Sequence, residues 1–355
     1  VTSVARRGLL AACFALAIEA GSTSPGGMVS AHAVSARLPE RLADTGLYEP
    51  GHPDVVAARN RPFAPQYPLW SDGAAKTRWV YLPEGRTIDG RDSTAWDFPV
   101  GTRFWKEFRI DGRKIETRFL WKVGPAQWMA ASYAWNAQGT EATLAPDAGI
   151  PGVAQIAPGR QHAIPSRADC AACHGSEPTA PLGFTALQLS TDRDPNAIHG
   201  EPLTPGMVTL RTLVEEKRLS PAHPDAVANP PRIATSNPRT RAALGYLLAN
   251  CGGCHNGRGE ISALGPILAP RDLMRDADEV ARAMVGQPTK WQVPGTPDGQ
   301  SVLIDRAASS TSAILVRMRS RRPSTQMPPL GTAIQDRSAT DALARWIDHD
   351  LSGAD

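Results

Sequence analysis

The sequence predicts an α+β multidomain protein: an antiparallel β-domain of sandwich or barrel type, then a cofactor-carrying segment, then an all-α domain. Three observations predict it. Residues 62–150 hold seven of the nine Trp and fifteen of the 21 aromatic residues, in short runs broken by turn signals. Residues 236–351 carry two helical apolar patterns. The length, 355 residues, exceeds one typical domain. Apolar residues at 41% and charged residues at 21% permit a packed core and exclude wholesale disorder. Pro (32) and Gly (31) are abundant without a collagen period, which points to long ordered loops. A net charge of +3 with no basic stripe excludes a nucleic-acid-binding surface. The expected division is a leader at 1–33, a linker at 34–61, the β-domain at 62–157, a first cofactor segment at 158–235 and the helical domain at 236–355.

The chain begins with Arg6 and Arg7, an uncharged apolar stretch over 8–18, then small residues ending in Ala31-His32-Ala33. This pattern predicts a cleaved signal peptide and a periplasmic or secreted protein. Glu19 stops the apolar run at eleven residues, too few to span a bilayer, and no other stretch is long enough. Removing the leader also removes Cys13 and leaves four cysteines.

In the β-domain, Lys76–Leu82, Gly101–Ile110, Lys114–Val123 and Trp128–Trp135 read as strands through their β-branched and aromatic content. Asp111-Gly112 between two of them predicts a hairpin. The block around Ser71, Asp72, Lys76 and Arg78 is expected to form ion pairs, a small polar site or a propionate contact. No Ser-His-Asp order, phosphate loop or H-E-x-x-H motif occurs.

The four cysteines form two identical patterns, Cys170-Ala-Ala-Cys173-His174 and Cys251-Gly-Gly-Cys254-His255. C-x-x-C-H is the attachment signature of c-type haem. Two thiols add to the vinyl groups of one porphyrin edge, and the next residue presents its imidazole to iron. A Cys₄ zinc site or two disulfides are the competing readings. Neither requires His after both pairs, and 81 residues separate Cys170 from Cys251, far for a zinc pair. The prediction is two haem c groups, held by Cys170, Cys173, Cys251 and Cys254, with His174 and His255 as axial ligands. The carbonyls of Pro181 and Pro266 are expected to orient the two imidazoles.

Residues 238–250 predict a helix running into Cys251, and 338–351 predict a terminal helix with Ala339, Leu343, Trp346, Ile347 and Leu351 on one face. This pair resembles the crossing terminal helices of cytochrome c, with Gly245-Tyr246 admitting Trp346. Met327, in a proline-rich loop before the last helix, is expected as the sixth ligand of the second haem. A soft thioether ligand raises the potential.

Before Cys170, Pro158 and Pro165 argue against a long helix, so a complete second cytochrome c domain is not expected. A helix is expected over 205–219. Candidates for the sixth ligand of the first haem are Met207 and His162, ahead of Met129, His199 and His223; an open iron is the alternative.

The stretches QYPLWSDGAAKTRWVYLP (66–83), FPVGTRFWKEF with the following KIETRFLW (98–121), IPSRADCAACH (164–174), LLANCGGCH (247–255) and MPPLGT (327–332) run in order across the chain. In them the protein resembles a poorly characterised family of bacterial diheme c-type cytochromes. The resemblance implies an exported redox protein with a β-rich amino-terminal part. The expected function is electron transfer between redox partner proteins through two covalent haems. The alternative is a peroxidase-like diheme oxidoreductase with catalysis at an open first haem.

Overall fold

The computed structural model describes residues 37–175, 179–258 and 264–351. The expected leader and Cys13 lie outside the described residues. Two-residue strands β1 (Tyr48–Glu49) and β3 (Arg61–Pro62) flank β2 (His52–Val56). Then come β4 (Ala75–Tyr81), β5 (Ile88–Asp89), β6 (Arg103–Ile110), β7 (Arg113–Gly124), β8 (Gln127–Trp135) and β9 (Ala142–Leu144). The four strands expected from sequence match β4, β6, β7 and β8 to within two residues. Asp111 and Gly112 both take positive φ at the β6–β7 turn, as a tight hairpin requires.

β1 and β2 pair with each other, and six of the remaining strands build one antiparallel sheet in the order β3-β4-β6-β7-β8-β9. It is open, with β3 and β9 as edges, so the expected barrel is not formed. Nor is it half of a sandwich. Helical and loop segments cover one face, where Val80, Phe104, Leu120 and Trp128 meet Phe98, Phe184, Leu189, Val208 and Leu213. The amino-terminal stretch covers the other, where Trp105, Phe119 and Tyr133 pack on Leu38, Leu42 and Leu47. That packing is why 38–61 is more than the expected linker: Leu42 and Leu47 are fully buried.

A second hairpin, β10 (Ile150–Ala157) with β11 (Arg160–Ile164), leads into helix α1 (Arg167–His174). Ser166 and Asp169 form a reciprocal capping box that starts α1. The helix expected over 205–219 shrinks to α2 (Leu210–Glu215). Thr209 caps its start, and Lys217 at φ 55° ends it. Strand β12 (Leu219–Ser220) then pairs in parallel with β5.

The remaining helices are α3 (Pro224–Ala228), α4 (Pro238–Cys251), α5 (Pro270–Arg275), α6 (Ala277–Met284), α7 (Ala313–Arg319) and α8 (Arg337–Trp346), which ends in a π turn over Ile347–Leu351. Asn237 caps α4 by accepting from the amides of Arg239 and Thr240, with Pro238 at the first helical position. Leu244 and Leu247 of α4 share a core with Leu343, Trp346 and Ile347. The expected role of Gly245 is corrected. A methyl group at Gly245 would overlap the ring of Tyr67, so the small residue admits a tyrosine from the amino-terminal half. Trp346 instead donates its indole N–H to Thr240 Oγ1 at 3.0 Å. From Leu38 onward the chain is one compact unit, and among the described residues no helix is long and apolar enough to cross a membrane.

Candidate functional site

Each C-x-x-C-H motif sits at a helix end. In the first, Cys170, Cys173 and His174 all belong to α1. In the second, Cys251 is the last residue of α4, and the amides of Cys254 and His255 both donate to the Cys251 carbonyl. All four cysteines are free and partly buried. The fold brings the two motifs together. Cys173 and Cys254 are hydrogen bonded to one another, and this contact with burial holds the Cys173 thiol well above its ordinary pKa. A methyl group at Gly253 would sit 4.0 Å from the Cys173 carbonyl and 3.9 Å from Leu182 Cδ1. Burial, with Cys254 beside it, pushes the Cys251 thiol up to about 12.

His174 Nδ1 lies 2.6 Å from the carbonyl of Ala180, one residue before the expected Pro181. Burial lowers the His174 pKa, the Ala180 carbonyl opposes this, and Lys106 and Arg118 lower it further. The ring is therefore held neutral, with Nδ1–H donating and Nε2 left to act as a ligand. His255 is likewise lowered, by burial first and then by Arg317. The Leu264 carbonyl, two residues before the expected Pro266, acts on it in the opposite sense. The Nδ1 atom still lacks a well-formed hydrogen bond among the described residues. Gly265, at φ 107°, lets the backbone pass against the His255 ring, where a Cβ would stand 3.0 Å from Cε1.

Met327 lies half-buried in its proline-rich loop. Its amide donates to the Arg317 carbonyl at 3.0 Å, and Arg317 Nε donates to the Thr325 carbonyl at 3.1 Å. Arg317 also acts on His255, so α7 connects the Met327 loop to the second motif. Leu182, Leu264, Ile267 and Leu330 are exposed large apolar residues, and all follow closely on the motifs or on Met327. A cleft of about 700 Å³ beside α1 is lined by Trp96, Leu120, Trp128, Met129, Cys170 and His174.

The candidates for a sixth ligand to the first motif fare unequally. Both ring nitrogens of His162 face carboxylates: Nδ1 is 3.4 Å from Asp72 Oδ2 and Nε2 is 3.1 Å from Glu116 Oε1. This buried histidine thus holds an ion-pair network and has no nitrogen left over for iron. His199 Nε2 bonds Asp336 at 2.9 Å, and His223 Nε2 bonds the Gly90 carbonyl at 3.0 Å. Met207 sits in the loop before α2, its sulfur 3.4 Å from the Thr204 amide. Met129 alone among these candidates borders the cleft that also contains Cys170 and His174.

The network around His162 was not foreseen. Arg118 Nη2 grips Glu116 at 2.6 Å, Glu116 meets His162, and His162 meets Asp72. Asp72 Oδ1 then accepts the amides of Ala333 and Ile334, at 2.7 and 3.1 Å, just past the Met327 loop. Charged residues at inward positions of predicted strands, Glu116 and Arg118 on β7, were the available signal. Arg78 makes one of the expected ion pairs, a fork to Glu201 at 2.6 and 3.0 Å. Among the described residues no three His, Cys, Asp or Glu side chains converge as a metal site would need. Two thiols and one imidazole at each motif, with an apolar rim, are the groups that could hold a covalent haem. No protein-family model, curated protein or solved structure matches the chain.

Proposed function

We propose that the protein is an exported diheme c-type cytochrome that carries electrons between redox partner proteins. The observation that carries this reading is the juxtaposition of two complete C-x-x-C-H motifs through Cys173 and Cys254. Two attachment sites in contact make a relay rather than two separate stations. The neutral imidazoles of His174 and His255 support it, as do the exposed leucines and Ile267 that an apolar macrocycle would cover.

On this reading Cys170 and Cys173 anchor the first haem and His174 binds its iron; Cys251, Cys254 and His255 do the same for the second. Helices α4 to α8 form a cytochrome c-like unit, and Met327 is the second sixth ligand. The haem supplies a one-electron iron couple. The protein orients the imidazoles through backbone carbonyls, fixes the Met327 loop through Asp72 and Arg317, and excludes water with the core that α4 and α8 share. A peroxidase-like oxidoreductase is the second reading. It draws on the cleft beside His174 and on the carboxylates that occupy His162.

The test is mass spectrometry with pyridine haemochrome assay on protein made in cells competent for cytochrome maturation. Two c-type haems per chain are expected; a mass equal to the bare polypeptide refutes the reading. Carbon monoxide titration of the reduced protein separates the two functions, since a relay with six-coordinate irons leaves its spectrum unchanged.

A further inference from the structure

Three cations stand side by side across the central sheet. In the strand register Arg78 of β4 is opposite Lys106 of β6, and Lys106 is opposite Arg118 of β7. All three therefore point to the same face. Like charges directly opposite one another destabilise a sheet, so such a row calls for anions. Two are present. Glu201 forks Arg78, and Glu116 binds Arg118 through two nitrogens at 2.6 and 3.2 Å. The central cation has none. Among the described residues no carboxylate pairs with Lys106, whose ammonium stands 4.9 Å from the centre of the Phe108 ring. The Arg118 guanidinium lies over the same ring at 4.4 Å. Burial, then Arg78, Lys76 and Arg118, drive the Lys106 pKa far down; Glu116, already engaged by Arg118 and His162, opposes them only in part.

The row also lies beside the first motif. Lys106 and Arg118 both act electrostatically on His174, and Arg118 acts on Cys170 and Cys173. Helix α1 packs against β8, the strand next to Arg118.

We propose that Lys106, between Arg78 and Arg118, is the receptor for an oxyanion, supplied by a propionate of the haem on Cys170 and Cys173. This rests on the diheme reading for the source of the carboxylate, not for the receptor. A haem carries two propionates, and a desolvated ammonium flanked by guanidiniums is suited to one of them. Lys106 is then a positioning residue that orients the macrocycle over the sheet and raises its potential by opposing the propionate charge.

The experiment compares wild type, Lys106→Met and Lys106→Arg as holoproteins. Lys106 is half-buried and no carboxylate pairs with it among the described residues, so Lys106→Met strips no buried anion of its partner and does not threaten folding. Spectroelectrochemistry should show one of the two midpoint potentials falling in Lys106→Met and recovering in Lys106→Arg. The propionate bending band in resonance Raman should move in step. Inorganic phosphate should leave wild type unchanged. If phosphate instead shifts the wild-type potential and not that of Lys106→Met, the receptor takes a free oxyanion. Unchanged potentials and Raman bands, with no phosphate effect, overturn the proposal. Should the mass show no covalent haem, the diheme reading fails by itself. Phosphate raising the melting temperature of wild type but not of Lys106→Met would then still identify the receptor, and equal responses would remove it.

Discussion

Asp72 and His162, ninety residues apart in sequence, meet in the interior with Oδ2 3.4 Å from Nδ1. The contact joins the end of the β10–β11 hairpin to the block that precedes β4. Through the other Asp72 oxygen it reaches the loop after Met327. One buried ion-pair chain, Arg118–Glu116–His162–Asp72, thus runs from beside the first motif to the methionine loop of the second.

The charge state of His162 sets a pH dependence. Burial lowers its pKa, but hydrogen bonds to Asp72 and Glu116 outweigh this and raise it above the ordinary imidazole value. A group whose folded pKa is raised contributes its full stabilisation below its unfolded pKa, about 6.5. That contribution is lost as pH rises through the folded value. Urea midpoints should therefore decline as pH rises above the ordinary imidazole value, and His162→Gln should flatten that decline. The substitution should also cost on the order of 3 kcal/mol at pH 6, since it strips the partner from buried carboxylates. An alkaline slope of equal size in both proteins would show that His162 is not the titrating group.

Asp72→Ala tests the other end of the chain. It leaves the amides of Ala333 and Ile334 without their acceptor, at about 1–3 kcal/mol. On the diheme reading the charge-transfer absorption of methionine-bound ferric haem should then disappear at lower temperature than in wild type, before global unfolding. Coincident loss in the two proteins would mean that the β-domain does not hold the Met327 loop.

On the diheme reading, Met327→Ala should convert the second haem to high spin and lower its potential, because a soft thioether favours the ferrous state. A spectrum identical to wild type would remove Met327 from the iron.

The local signals in the sequence reached the structure closely and the long-range ones did not. Strands β4, β6, β7 and β8 and helix α4 follow from aromatic alternation and from the Asn237-Pro238 start, which are properties of neighbouring residues. Covering the sheet is a long-range matter. No spacing rule reveals that Leu42 and Leu47 close one face, nor that Phe184 and Leu213 close the other. The same holds for Gly245, whose missing side chain answers to Tyr67 rather than to its partner helix. The two C-x-x-C-H motifs stand out in the sequence as units, because haem attachment would call for that spacing, but no spacing reveals that the fold brings Cys173 to Cys254. His162 stood out as a candidate sixth ligand, but its carboxylate partners could not be read from the sequence. Asp72 and Glu116 come to it from 90 and 46 positions away.

The contact between Cys173 and Cys254 removes a simplification that the sequence alone allows, namely that the two motifs act independently. These are the second cysteines of their motifs. Thioethers formed through them would set the corresponding porphyrin edges against each other. At such separation the charge on one iron is felt at the other through a medium less polar than water. Reduction of the first haem should then make the second harder to reduce, so that a redox titration of wild type spreads over a wider range than two independent centres would give. Cys173→Ser, which loosens one edge without removing a haem, should change both potentials. His174→Ala should likewise move the potential of the haem on His255. A shift confined to the mutated site in both variants would establish that the two centres do not communicate across this contact.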